Sequence, residues 1–132
     1  MTDVPLTDAD RAVLGAPNFA HLATLREDGT PQVSVVWLDT DGDVLRVNSA
    51  RGRVKDRNVA RDPRVAVSVH RQDDPYATIS VDGVVEGTIE GAEADAHIDA
   101  LSRAYTGKPW SPVEGQARVI YRIRPTRIVR HT

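Results

Sequence analysis

The chain has 132 residues and no cysteine, which excludes disulfides, thiol catalysis and thiolate metal sites. Its 17 Lys and Arg against 19 Asp and Glu give a net charge of −2, the wrong balance for a general nucleic-acid binder. No apolar run approaches the ~18 residues of a membrane span, and the N-terminus MTDVPLTDAD is acidic rather than leader-like. A single cytoplasmic domain over residues 1–132, with no nucleic-acid and no membrane partner, is therefore expected.

Thr7 with Asp10 predicts a capping box that opens a short helix over 8–14, stopped near Gly15 and Pro17. FAHLATLR (19–26) reads as a strand, Asp28-Gly29 as a turn and PQVSVVWLDT (31–40) as a second strand. Asp41-Gly42 turns the chain again, and DVLRVNS (43–49) is the third strand. Residues 53–61 suit a short helix closed by Asp62 before Pro63. RVAVSVH (64–70) alternates as a strand, and DDP (73–75) reads as a loop. Residues 76–90 form a long or bent strand, or two, with Gly83 and Gly87 as bulge sites.

Residues 92–105 are helical, with Ala94, Ile98, Leu101 and Tyr105 on one face. A loop follows over 106–115. ARVIYRIRPTRIVRHT supplies one or two last strands, with Val119, Tyr121 and Ile123 on one side and Arg118, Arg122 and Arg124 on the other. The fold class is mainly β (α+β), with six to seven antiparallel strands and two to three short helices. Hairpin-linked strands of this kind tend to close into a barrel.

Charge is concentrated in residues 48–64, NSARGRVKDRNVARDPR. Six of these seventeen residues are Arg or Lys and two are Asp, so the stretch carries +4 and the remainder −6. A helix start near Gly52 would present free N–H groups, and Arg53 and Lys55 lie within its first turn. A phosphate there would meet backbone donors and two cations together. Asn58, one turn on, would hold the loop or donate to the ligand. Arg57 and Arg61 extend the basic face, although like charges four apart weaken a helix slightly, which counts against a merely solvated surface. Gln32, Ser34 and Val36 share one strand face. Two polar residues there suit either hydrogen bonding to a heterocyclic ring or a half-exposed wet side.

The runs HLATLREDGTPQVSVVWL, VNSARGRVKDRNVARDPRVAVSV and DDPYATISVDGVVEG together resemble the pyridoxamine 5′-phosphate oxidase-like split β-barrel superfamily, an FMN-binding-like fold. The pattern R-x-K-x-R-N-x-x-R-D-P-R is similar to the branch that binds the deazaflavin coenzyme F420. The resemblance implies a homodimer with two cofactor sites shared at the subunit interface. It implies that Arg53 and Lys55 bind the cofactor phosphate, and that Asn48 and Ser49 line the same pocket. Gln32, Ser34 and Val36 would run beneath the ring system, and Tyr76 would form a wall supplied by the partner subunit. F420 is the expected cofactor, with FMN the alternative. Arg51, Arg57 and Arg61 exceed what one phosphate needs and suit the acidic tail of F420.

No G-x-S-x-G, H-E-x-x-H, Walker or G-x-G-x-x-G motif is present. His21, His70, His97 and His131 are scattered without ligand spacing, so no metal site is expected. Trp110, in a Gly/Pro loop, is a candidate for the edge of a substrate pocket or for simple packing. A cofactor that transfers a hydride requires no side-chain nucleophile. The expected function is F420-dependent reduction of a small unsaturated or conjugated substrate. The alternatives are an FMN-dependent oxidoreductase of the same fold, or a cofactor or haem-like binder without turnover. Oxidation of pyridoxamine phosphate itself is not expected, because RPTRIVRHT does not match the C-terminal Arg/His pattern of the true oxidases.

Overall fold

The computed structural model describes residues 4–131; residues 1–3, where the acidic N-terminal stretch begins, and Thr132 lie outside the described residues. Three helices and seven strands follow in the order α1 (Asp8–Leu14), β1 (Ala20–Leu25), β2 (Pro31–Val36), β3 (Leu38–Asp41), β4 (Val44–Ala50), α2 (Val54–Arg61), β5 (Arg64–Arg71), β6 (Asp74–Glu90), α3 (Ala92–Thr106) and β7 (Arg118–His131). All pairings are antiparallel, in the order β2-β1-β5-β6-β7-β4-β3.

That order curls the sheet. β2 and β3 occupy its opposite edges, yet one residue, Trp37, joins them. The edges must therefore approach each other, which gives the split barrel. The single strand expected over 31–40 is two. Val36 still pairs with Ala20 of β1, whereas Leu38 already pairs with Val47 of β4. Tyr105 of α3 pins this corner: its hydroxyl accepts from Leu38 N at 3.2 Å and lies 2.9 Å from Asn18 O, and its ring stacks on Trp37.

The 73–75 loop is also corrected. β6 begins at Asp74, directly after a turn at Gln72 and Asp73, because Asp74 pairs with Arg71 to close the hairpin. β6 is one strand of 17 residues that bends where expected, with register shifts at Asp82/Gly83 and between Val85 and Gly87. At Gly83 a Cβ would meet Ile123 Cγ2 at 2.7 Å and Arg124 O at 2.8 Å, so the crossing strand leaves no room for a side chain. β7 is likewise a single strand.

The core is aliphatic, built from Leu22, Leu38, Leu45, Val47, Val67, Val81, Val119 and Ile123 around Tyr121. Each such side chain contributes about 1.5–3 kcal/mol when fully buried. Ala94, Ile98 and Leu101 of α3 are buried as their spacing predicts, and Tyr105 is half-buried.

The Thr7–Asp10 capping box is formed, and Asp10 also receives Arg130 of β7 through two 2.7 Å bonds. The Arg130 bond foremost, with the Thr7 bonds, holds the Asp10 carboxyl down at about 2. A carboxyl lowered on folding stabilises the fold above its unfolded value and loses that contribution as pH falls through the folded one. Stability should therefore fall by about 1–2 kcal/mol between pH 4 and pH 2 from this pair, after allowing for screening at the exposed Arg130. Urea titrations of the wild type and Asp10→Asn check this, since the variant should lose that part of the acid sensitivity.

Candidate functional site: a cationic corner at the start of α2

β4 ends at Ala50, and the chain turns through Gly52, whose φ of 88° only glycine adopts without strain. α2 then begins with no side-chain cap on its first turn, so N–H groups there remain available to a ligand. The turn is rigid because Asp56, buried in that first turn, reaches back. Its Oδ2 accepts from Gly52 N at 2.9 Å, and its Oδ1 accepts from the Tyr121 hydroxyl at 2.8 Å and from Arg51 at 3.1 Å. Burial opposes ionisation of Asp56, but these donors outweigh it and hold the carboxyl below the usual aspartate range. Burial, and then the bond to Asp56, pushes the Tyr121 phenol far above its ordinary value.

Across this turn lies the polar face of β2. Lys55 Nζ donates to Ser34 Oγ at 3.4 Å. Asn58 Nδ2 donates to Thr24 Oγ1 at 3.0 Å and Gln32 Oε1 at 3.3 Å, and Thr24 Oγ1 donates to the same Gln32 oxygen at 3.2 Å. α2 is thus fastened over β1 and β2 by its buried Asn58. Arg53 and Lys55 form ion pairs with no carboxylate among the described residues. Burial first, then Arg53 and Arg118, pushes the Lys55 ammonium down, so three cations share one uncompensated corner. An anion there would relieve that repulsion.

The structure brings Gln32, Ser34, Lys55 and Asn58 together in two hydrogen-bonded groups, Lys55 with Ser34 and Asn58 with Gln32, with Arg53 exposed on the same helix start. Val36 on the same strand face is buried in the core. Asn48 points elsewhere: its amide donates to Ala94 O and His97 Nδ1 of α3 and accepts from Arg118 Nε at 2.9 Å. Ser49 is wholly buried on the core side of β4, beside Tyr121. Tyr76 stands 85% exposed near the start of β6. Of the extra arginines, Arg51 is consumed by Asp56 and Glu90, whereas Arg57 and Arg61 are exposed and their side chains bond, among the described residues, only Gly52 O and Asn58 Oδ1.

Three participants were missed from sequence. Asp56 had a legible signal, since an acid at the third helical position can reach back to the backbone before the helix. Thr24 had none. Arg118 was assigned by alternation to the outward face of β7, but α3 and the 107–117 loop cover the start of that strand and bury it to 7% exposure.

A curled antiparallel half-barrel of seven strands with three helices defines a split barrel. Residues 6–131 match the family model described as pyridoxamine 5′-phosphate oxidase, and the chain belongs to that family. Among solved structures it is similar to an F420 reductase, at 36% identity over 94% of this chain and 98% of that one, with a TM-score of 0.83. A conserved hypothetical protein from Mycobacterium tuberculosis shares the fold at 23% identity, covering 99% of this chain and 88% of that one, TM-score 0.75. General Stress Protein 26 from Bacillus anthracis does so at 20% identity, covering 90% and 87%, TM-score 0.64.

Among the described residues, no helix is long and apolar enough to cross a membrane.

Proposed function

We propose that the protein is an F420-dependent oxidoreductase that passes a hydride to a small unsaturated or conjugated substrate. The observation that carries this reading is the uncompensated pair Arg53 and Lys55 at an uncapped helix start. The similarity to an F420 reductase supports the choice of cofactor. Arg53, Lys55 and the first-turn N–H groups would hold the cofactor phosphate, and Arg57 and Arg61, exposed along the same helix, would meet its acidic tail. Gln32 and Ser34 would hydrogen-bond the ring system. F420 supplies the hydride when bound, and the protein's part is to bind, orient and exclude water.

The reading includes a homodimer with shared cofactor sites. Val33 and Val35 of β2 are 61% and 58% exposed. Val35 continues across the outer sheet through His21, Ser68, Ser80 and Val129, a row of mostly small side chains on five strands. An exposed row of this kind suits a second copy of the sheet. The exposed Tyr76 would then serve the partner's site.

Fluorescence titration with F420 and FMN tests the cofactor. F420 should bind more tightly; protein that purifies with bound FMN and ignores F420 would reverse the assignment. Reduced F420 should be reoxidised faster with protein by at least one conjugated acceptor, and no acceleration across a panel would leave a binder without turnover.

A further inference from the structure

On the other side of β7 from the core, α3 and the loop before β7 enclose a cavity of about 360 Å³. Its walls are Ile98, Trp110, Pro112 and Val113, with Gln116 and Arg118 as the polar groups and Asp95 and Asp99 at its acidic side. None of those residues bonds Lys55 or Ser34, although Arg118 lies close enough to Arg53 and Lys55 for the three cations to repel one another. Arg118 is the feature without an explanation. It is 7% exposed and forms an ion pair with no carboxylate among the described residues. A buried guanidinium stays charged, and burying a charge without a counter-ion is costly.

Its position is fixed from three sides. Nε donates to Asn48 Oδ1 and Nη1 to Gln116 Oε1, each at 2.9 Å, and the guanidinium carbon sits 5.0 Å from the centre of the Trp110 ring. Asn48 is held in turn, since its amide nitrogen can only donate, at 3.1 Å, to His97 Nδ1. His97 Nε2 therefore carries the proton and donates to Asp39 Oδ1 at 2.9 Å, and Asp39 is clamped by Arg46. This chain Arg46–Asp39–His97–Asn48 leaves Arg118 little freedom. Its Nη2 bonds no described residue.

We infer that this cavity is a binding site for a small organic carboxylate, whose anionic group bonds Arg118 and whose apolar body lies against Trp110, Ile98 and Val113. One unpaired cation matches one negative charge, and Ile98, Trp110, Pro112 and Val113 offer an organic body an apolar wall that a bare phosphate would not use. The volume is that of a small ligand pocket. The acids do not contradict this. Asp99 is occupied by Trp110 N at 2.8 Å and by Arg103, and Asp95 lies exposed at the rim, where it weakens the site without filling it. The inference does not rest on the cofactor assignment, because the cavity can be probed without cofactor.

Benzoate and its neutral counterpart benzamide are the probes, read by the indole N–H signal of Trp110 in ¹⁵N-labelled full chain, with Trp37 as the internal control. Benzoate should shift the Trp110 signal saturably, and benzamide should bind at least about tenfold more weakly. Arg118→Met should abolish that preference. Asp95→Asn alters only an exposed rim residue and should tighten benzoate about twofold to fivefold, so it tests the site even where the Arg118 variant folds poorly. Equal binding of benzoate and benzamide, no shift at Trp110, or equal displacement by inorganic phosphate would overturn the inference. Saturating F420 distinguishes the source: displacement of benzoate assigns the carboxylate to the cofactor's tail, and joint binding assigns it to a second substrate.

Discussion

Asp56→Ala should destabilise the protein by about 3 kcal/mol, more than removing any single hydrogen bond of the site. The carboxylate is buried and holds three groups: Gly52 N, the Tyr121 hydroxyl and Arg51. Its loss strands the phenol of a wholly buried tyrosine and frees the Gly52 turn at once. Tyr121→Phe is the control, because it removes one donor while Gly52 and Arg51 still satisfy Asp56. That variant should lose only about 1 kcal/mol. Urea unfolding of both variants measures the contrast, and equal losses would show that Asp56 does not pin the turn. Loosening the turn should also weaken the cofactor in the Asp56 variant, since the backbone donors of the helix start lose their fixed direction.

Arg53→Ala/Lys55→Ala should weaken F420 binding by several tens of fold, with each single change costing about tenfold. A charge-assisted contact contributes roughly 1.5–3 kcal/mol, and two cations on one phosphate do not add fully. The stability of the free protein should move the other way or not at all. Neither residue has a carboxylate partner among the described residues, and burial first, then repulsion from Arg53, lowers the Lys55 ammonium. A protein that binds F420 as before, or that unfolds when these two cations are removed, would show them to be structural. Residual binding in the wild type should fall with added salt more steeply than in the double variant, because the exposed part of the attraction is screened.

Much of the fold was legible because its signals are local. The Thr7–Asp10 box, the Ala94–Ile98–Leu101 stripe and the bends near Gly83 and Gly87 depend on spacings of a few residues. The division of PQVSVVWLDT at Trp37 was not legible. It follows from which strand lies opposite each half, a property of the closed sheet.

The site divides in the same way. The +4 stretch, and within it Arg53 and Lys55, stood out from composition alone. Which cations are neutralised did not. Arg51 reads in the sequence as a free cation suited to an acidic tail, but Asp56 and Glu90 take it up. Asn48 and Ser49 lie at the right strand end, yet one faces α3 and the other the core.

The sequence by itself determined the order of helices and strands, the antiparallel class and the location of the positive charge, all of which arise between residues close along the chain. Only the tertiary structure decided where the barrel closes, which arginines keep their charge uncompensated and that Arg118 is buried beneath Trp110. Those outcomes depend on partners such as Tyr121 for Asp56 and Asn48 for Arg118, 65 and 70 residues apart, which the curled sheet alone brings into contact.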